Sequence, residues 1–218
     1  MNQDLLSLDK NARLLGIELS ESQLAQFAVY KNELLLWNAK TNLISENSSQ
    51  EIITRHFLDS LTAMQFIQKP DACMIDIGCG AGFPGLPLKI ALPSLKLYLL
   101  ETNRKKVSFL KNMIRLLNLP ETFVLHDRVE NIIKTSSWKE KFDILISRAT
   151  FKLSDLLTQG EHFLVSGGEL IALKGPTVDE DFAQCLSTIN QYKISQLIQH
   201  HINVSFLGAQ RKIIVGKK

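Results

Sequence analysis

The feature that most constrains the fold is a glycine-rich turn set in an alternating α/β pattern: Asp76-Ile77-Gly78-Cys79-Gly80-Ala81-Gly82-Phe83-Pro84-Gly85. It follows a short apolar run, Cys73-Met74-Ile75-Asp76-Ile77, and opens a helix. A strand that runs through glycines into a helix is where a doubly wound sheet receives a nucleotide-like ligand. Glycine adopts backbone angles closed to other residues there and lets a ligand approach the main chain. Pro84 suits the helix's first turn, where its missing N–H would be unpaired anyway. The spacing also discriminates between ligands. The dinucleotide fingerprint G-x-G-x-x-G fails, because its third glycine falls on Phe83. The Walker A pattern fails because no Gly-Lys-Ser/Thr closes the turn.

The rest of the chain continues the alternation. Helices are expected at about 85–92, 103–119, 129–134, 153–163 and 178–189. Between and after them, strands are expected at 95–100, 122–126, 142–146, 169–173, 194–202 and 212–215, the fifth strand following a Gly167-Gly168 turn. With 73–77 this makes a seven-stranded, mostly parallel sheet with helices on both faces, an α/β Rossmann-like fold. Residues 1–70 read differently, as a helical N-terminal extension to a domain spanning 71–218. Ser20 and Gln23 form a capping box that opens a helix. Leu24, Phe27, Ala28, Leu34, Leu35 and Trp37 supply its apolar stripe to near Asn38. Asn42 and residues 45–49 read as a loop, and a second helix is expected over 50–68, closed by Lys69-Pro70.

Composition excludes several classes. With 218 residues, 45% hydrophobic and 22% charged, the chain is too apolar for disorder. No window reaches the roughly 18 apolar residues of a membrane span. Met1-Asn2-Gln3-Asp4 lacks the basic region and apolar run of a secretory signal. Cys73, Cys79 and Cys185 show no ligand spacing, so reduced thiols in a cytoplasmic protein and no metal site are expected. No long apolar surface stripe demands a partner copy, so a monomer is expected. The net charge of +3 divides unevenly, with 6 basic and 8 acidic residues in 1–70 against 19 and 14 in 71–218. A basic C-terminal part permits contact with nucleic acid.

Three alternate glycines preceded by an acid resemble motif I of the class I S-adenosylmethionine-dependent methyltransferases. That resemblance implies that Asp76 organises the turn and reaches the methionine moiety through water. It also implies that Gly78, Gly80 and Gly82 line the cofactor. Glu101, at the end of the second strand, can accept from two ribose hydroxyls, or is simply an exposed strand-end acid. Asp127-Arg128-Val129-Glu130 follows the third strand; in that superfamily this loop borders the adenine. Asp127 and Glu130 equally suit a helix N-terminus.

Several further segments are similar to one family. They are Trp37-Asn38 with Thr41-Asn42-Leu43-Ile44, Arg55-His56-Phe57-Leu58-Asp59-Ser60-Leu61, the Phe83-Pro84-Gly85 extension, Arg104-Lys105-Lys106 with Phe109-Leu110, Arg128-Val129-Glu130, Ser147-Arg148-Ala149 and Leu173-Lys174-Gly175. Together they resemble the small-subunit (16S) ribosomal RNA guanine-N7 methyltransferases, also called glucose-inhibited division protein B, over roughly residues 30–175. The resemblance implies an enzyme that takes S-adenosyl-L-methionine as cofactor and 16S rRNA, free or in an assembling 30S subunit, as partner. By position it implies Gly78, Phe83, Val129, Glu130 and Arg148 as cofactor contacts. Cys79 and the segment after 176 depart from what can be matched.

Guanine N7 carries a free lone pair, so this chemistry needs positioning more than a base. That agrees with the lack of a Ser/His/Asp or paired-carboxylate constellation. Arg148, at the carboxyl edge of the fourth strand, is a candidate catalytic residue, or else a surface ion pair. His56 with Asp59 could rim the pocket, or form a helix-surface pair. Asn38 could contact cofactor or guanine, or cap its helix. Lys174 is a cleft candidate for a phosphate. Arg104, Lys105 and Lys106 begin a helix, a poor place for cations in its field, which favours RNA contact. Trp37 and Phe57 are read as core. A methyltransferase acting on a small molecule or protein, and a nicotinamide-dependent enzyme, are the competing readings; the failed fingerprint weighs against the latter.

Overall fold

A computed structural model describes residues 3–46, 48–207 and 210–218. The extension begins with α1 (Gln3–Leu14) and α2 (Glu21–Thr41). The capping box is present: Ser20 Oγ accepts from the Gln23 N–H at 3.2 Å, and the Ser20 N–H donates to Gln23 Oε1 at 2.8 Å. The helix runs past Asn38 to Thr41, where Asn42 takes a left-handed conformation (φ 52°) that ends it.

The expected single helix over 50–68 is instead a chain of short turns. These are α3 (Ser49–Ile52), a π-helical stretch (Ile53–Leu58), α4 (Asp59–Leu61) and a 3₁₀ turn (Thr62–Phe66). Competing donors explain the break. Ser60 Oγ donates to the His56 carbonyl at 2.6 Å, Thr62 Oγ1 to the Asp59 carbonyl at 2.5 Å, and Arg148 to the Arg55 carbonyl at 2.8 Å. Carbonyls served this way need no regular helical partner.

The domain then alternates as expected: β1 (Cys73–Ile77), α5 (Gly85–Ala91), β2 (Lys96–Glu101), α6 (Arg104–Leu116), β3 (Thr122–His126), α7 (Val129–Ile132), β4 (Phe142–Arg148), α8 (Leu153–Phe163), β5 (Leu164–Lys174), α9 (Asp179–Ser187), β6 (Gln196–Ile202) and β7 (Arg211–Lys217). The sheet order is β3-β2-β1-β4-β5-β7-β6. The first five strands pair in parallel, while β7 lies antiparallel between β5 and β6. The carboxyl ends of β1, β2 and β4 therefore open on one edge, beside the crossing point where the strand order reverses. β5 starts earlier than expected, because the Gly167-Gly168 turn lies inside it at a register shift against β4.

Successive strand residues point to opposite faces. Met74, Leu97, Leu99, Ile144 and Ile171 face a cluster that includes Leu8, Phe27, Tyr30, Leu34 and Phe57. The extension thus shares the core of one sheet face and is packed in place by it. Ile75, Ile77, Leu145 and Leu170 face α8, through Leu153, Leu156 and Leu157. Trp37 packs edge-on against Phe109, and Phe57 is buried, which agrees with reading both as core. Among the described residues no helix is long and apolar enough to cross a membrane.

Ser20→Ala removes the cap that starts α2. The expected loss is about 1 kcal/mol of folding stability, read by urea denaturation; an unchanged midpoint would show that packing alone sets the helix start.

Candidate active site

The glycine turn is built by its neighbours. The Gly78 N–H donates to the Leu100 carbonyl at 2.9 Å, stitching the turn to the end of β2. Glu101 braces the turn and the start of α6 together: Oε2 accepts from Gly80 N–H at 2.9 Å, and Oε1 from the N–H groups of Thr102 and Asn103 at 2.8 and 2.7 Å. Asp76, wholly buried, accepts from Gly85 N–H at 2.8 Å through Oδ2 and so anchors the first turn of α5. Pro84 stands at the N-cap of that helix, one place earlier than expected, and the Phe83–Pro84 peptide is cis.

Gly80 and Gly82 have different surroundings. Both have positive φ, 60° and 102°. A Cβ on Gly80 would meet only the Lys106 amine, at 3.9 Å, so this glycine faces open space. A Cβ on Gly82 would lie 2.8 Å from the Tyr30 hydroxyl and closer still to Leu86. No side chain fits at Gly82, since α2 and α5 fill its Cβ position, just as Thr150 Cγ2 at 2.9 Å blocks a Cβ on Gly78. Tyr30 itself donates to the Ala81 carbonyl at 2.5 Å, tying the extension to the turn.

A cavity of about 220 Å³ lies beside the turn, lined by Gly78, Glu101, Lys106, Asp127, Val129 and Thr150 among others. Asp127 Oδ1 accepts from Asn131 Nδ2 and Arg128 N–H, both at 2.7 Å, which holds its carboxyl below the usual range. Val129 is buried, and Glu130 is exposed on α7.

A second cavity, of about 410 Å³, is lined by Glu46, Arg55, His56, Asp59, Arg148 and Arg211, with Pro176, Leu207 and Gln210. Arg148, the last residue of β4, borders this cavity and Thr150, two residues on, borders the first. Arg148 donates to Asp59 Oδ2 at 3.0 Å and to His56 Nδ1 at 2.8 Å, and lies 5.1 Å over the Phe83 ring. Phe83 is stacked by His56 (4.5 Å) on one side and Tyr30 (5.5 Å) on another. Because a guanidinium only donates, Nδ1 of His56 must accept, and its proton sits on Nε2, which donates to Glu46 Oε2 at 2.8 Å. Burial and the Arg148 charge both push the His56 pKa down, so the ring is held neutral. Burial is the strongest single influence on Glu46 and opposes its charge, but His56, the Ser45 hydroxyl and the Glu46 backbone together outweigh it and keep its carboxyl below the ordinary value.

Two expected site residues are placed elsewhere. Lys174 is buried, its amine donates to the Phe151 carbonyl, and burial lowers its pKa; it holds the loop after β4 and does not face a phosphate. Asn38 is buried and bridges the Glu46 carbonyl (3.0 Å) and the Ile44 N–H (2.9 Å), so it neither caps α2 by its side chain nor lines either cavity. Arg104 and Lys105 are exposed and Lys106 half-buried at the start of α6, where Asn103 Oδ1 caps the N–H groups of Lys105 and Lys106. Glu46, Tyr30 and Arg211 were not singled out from sequence. Only Tyr30 carried a signal, its place in the Phe27–Leu34 stripe. Among the described residues no group of three or more His, Cys, Asp or Glu could hold a metal.

The fold is that of the class I methyltransferases. Among solved structures, M. jannaschii TYW2 in complex with AdoMet superposes with a TM-score of 0.57 at 19% identity, covering 82% of this chain and 78% of that one. Precorrin-6y C5,15-methyltransferase from Geobacter metallireducens gives 0.55 at 12%, covering 81% and 90%. The chain belongs to the GidB family, rRNA small subunit methyltransferase G, which it matches over residues 23–214. Two curated relatives bear the name Ribosomal RNA small subunit methyltransferase G. That of Syntrophus aciditrophicus is 42% identical over 92% of this chain and 83% of its own length. That of Alkaliphilus oremlandii is 36% identical over 97% and 89%.

The site also fits S-adenosylmethionine on its own terms. Gly80 presents a bare backbone to open space, and Asp76 Oδ1 is a buried acceptor that no donor of the described residues meets. Burial raises the Asp76 pKa to about 7. A carboxyl raised this way keeps its proton in the folded state while the unfolded chain loses it. Its stabilising contribution is thus full below the unfolded value and lost as pH rises toward 7. Asp76→Asn should abolish that slope: the stability gap between variant and wild type widens in the variant's favour from about pH 4 to 7 and is flat above. Urea denaturation across that range checks it, and parallel curves would show that Asp76 does not titrate there.

Proposed function

We propose that this protein transfers the methyl group of S-adenosyl-L-methionine to N7 of a guanine in 16S rRNA, free or within an assembling 30S subunit. The observation that carries this reading is that Arg148 lines an arginine-rich cavity and Thr150, two residues on, lines the cavity beside the glycine turn, in a chain of the GidB family. When bound, the cofactor supplies a methyl on sulfonium; the S–C pair stays with sulfur as N7–C forms, and no proton leaves N7.

The chain's own residues then bind, orient and exclude water. Gly78 and Gly80 give close main-chain approach along β1's end. Glu101 keeps one acceptor position on Oε2 for a ribose hydroxyl beyond the three N–H groups it already holds. Asp127, Val129 and Glu130 border the adenine. Arg148, fixed by Asp59 and His56 over Phe83, orients cofactor and base from the wall of the arginine-rich cavity. Asn38 acts through the 44–46 loop as a positioning residue. Arg104, Lys105 and Lys106 offer charge to the RNA backbone, whose phosphates supply sequence-independent affinity. The enzyme acts in the cytoplasm as a monomer.

Labelled S-adenosylmethionine with unmodified 16S rRNA, naked or as 30S particles, tests the reading: labelled N7-methylguanosine is expected after digestion. Cofactor binding without label in RNA would leave a methyltransferase of small molecules or proteins. Gly80→Asn keeps a residue that tolerates the left-handed backbone and meets no clash, but places a side chain in the cradle. Calorimetry should show at least a tenfold loss of cofactor affinity, about 1.4 kcal/mol, with the thermal midpoint little changed; unchanged affinity would move the cofactor site.

A further inference from the structure

The arginine-rich cavity holds one carboxylate with unused capacity. Asp59 is wholly buried and engaged on both oxygens, with Arg211 Nε on Oδ1 at 2.5 Å and both Arg211 Nη2 (2.8 Å) and Arg148 Nη1 (3.0 Å) on Oδ2. Glu46 is not. Its Oε2 accepts from His56 Nε2 at 2.8 Å and from the Ser45 hydroxyl at 2.9 Å. The guanidinium of Arg55 stands 3.8 Å from Oε1, too long for a hydrogen bond. An acceptor and a donor thus lie side by side in the cavity wall. Glu46 is well fixed there, since Asn38 holds its backbone carbonyl and His56 its side chain.

The chemistry of the reaction says which edge of a guanine such a wall could read. N7 must keep its lone pair for the methyl, so it cannot be the atom held by a hydrogen bond. The neighbouring atoms O6 and N1–H remain, an acceptor beside a donor. Adenine presents the reverse, a donor at N6 beside an acceptor at N1. An ionised carboxylate next to a guanidinium therefore matches guanine and opposes adenine at both contacts. Negative charge on that edge also favours the positive charge that the purine gains on methylation, so the same contact strengthens toward the transition state.

We propose that Glu46, with Arg55 beside it, is the guanine-reading pair of the site: Glu46 Oε1 accepts the N1–H of the target base and Arg55 donates to its O6. The assignment rests on the methyl-transfer reading above. It makes Glu46 a residue that touches substrate, in addition to fixing the His56 tautomer.

The two roles separate in Glu46→Gln. A glutamine still offers His56 an acceptor, so the Arg148 arrangement is kept, but its amide both donates and accepts and cannot tell the two purines apart. The substrate is 16S rRNA in 30S particles, ligated so that the mapped target base is guanine, inosine or adenine. Inosine keeps O6 and N1–H and lacks only the N2 amine. Wild type is expected to methylate guanine and inosine within a few-fold of each other and to reject adenine. Glu46→Gln should lose about ten- to a hundredfold in kcat/KM on guanine, narrow the guanine-to-adenine ratio, and bind S-adenosylmethionine as wild type does by calorimetry.

An unchanged ratio in the variant overturns the proposal. So does joint loss of cofactor affinity and turnover, which would confine Glu46 to positioning His56. Wild-type rejection of inosine as strong as of adenine would place the reading on the N2 amine and likewise overturn it. Failure of the wild type to label guanine-containing RNA, with the cofactor bound, is a different result: it removes the methyl-transfer reading itself and this assignment with it.

Discussion

Asp59 is the residue on which the site's architecture depends. It is wholly buried, comes from the extension, and holds Arg148 from β4 and Arg211 from β7. A buried carboxylate left without partners would be destabilising by roughly 3–5 kcal/mol. The extension, the end of β4 and the C-terminal hairpin are therefore fixed relative to one another by a single charge. Two cations on one anion leave a surplus of positive charge, and the cavity they line is suited to a polyanion. The same constraint explains why the extension is irregular just there. The π-helical stretch Ile53–Leu58 turns the Arg55 carbonyl toward Arg148 and places His56 against it, which a regular helix would not do at both positions.

The cofactor turn is held by a different principle. Its positive-φ glycines supply shape, but surrounding groups supply rigidity: Glu101 from β2, Asp76 from β1 and the Tyr30 hydroxyl from α2 each take a main-chain group of the loop. A turn held on three sides loses little entropy when a ligand binds, which is where a positioning enzyme gains its advantage. The aromatic column Tyr30–Phe83–His56 carries that rigidity from the turn to the second cavity. The glycine turn and the arginine-rich cavity are thereby linked through stacked rings.

What was legible in the sequence follows from the range of the forces involved. The capping box at Ser20 and Gln23, the seven strands and the strand–glycine–helix turn are local or periodic signals, and all are present, with β5 alone beginning well before its expected start. The antiparallel β7 beside β5 was not specified by the alternation, because pairing order is a long-range property. Lys174 shows the same limit on a single side chain. A lysine at the end of a strand reads as a cation in the cleft, but the Phe151 carbonyl 23 positions earlier in the chain draws it inward. Arg211 lay in the segment that matched nothing, and its partner is 152 residues away. The exclusion of a side chain at Gly82 is partly long-range too, because Leu86 is a near neighbour in the chain but Tyr30 comes from the extension.

The protonation pattern ties these pieces to the chemistry. An N7 nucleophile asks for no base, and the site offers none: His56 accepts from Arg148 on one nitrogen and donates to Glu46 with the other. A neutral ring in that orientation is a spacer of fixed direction between a guanidinium and a carboxylate. Protonation would place an N–H against the Arg148 donor, so the arrangement itself opposes it, in the same sense as the burial and charge that lower the pKa. With proton transfer absent from the reaction, the ionisable groups are free to serve geometry. Arg148 and Glu46 stand at opposite ends of one neutral ring, and their separation is set by the width of an imidazole.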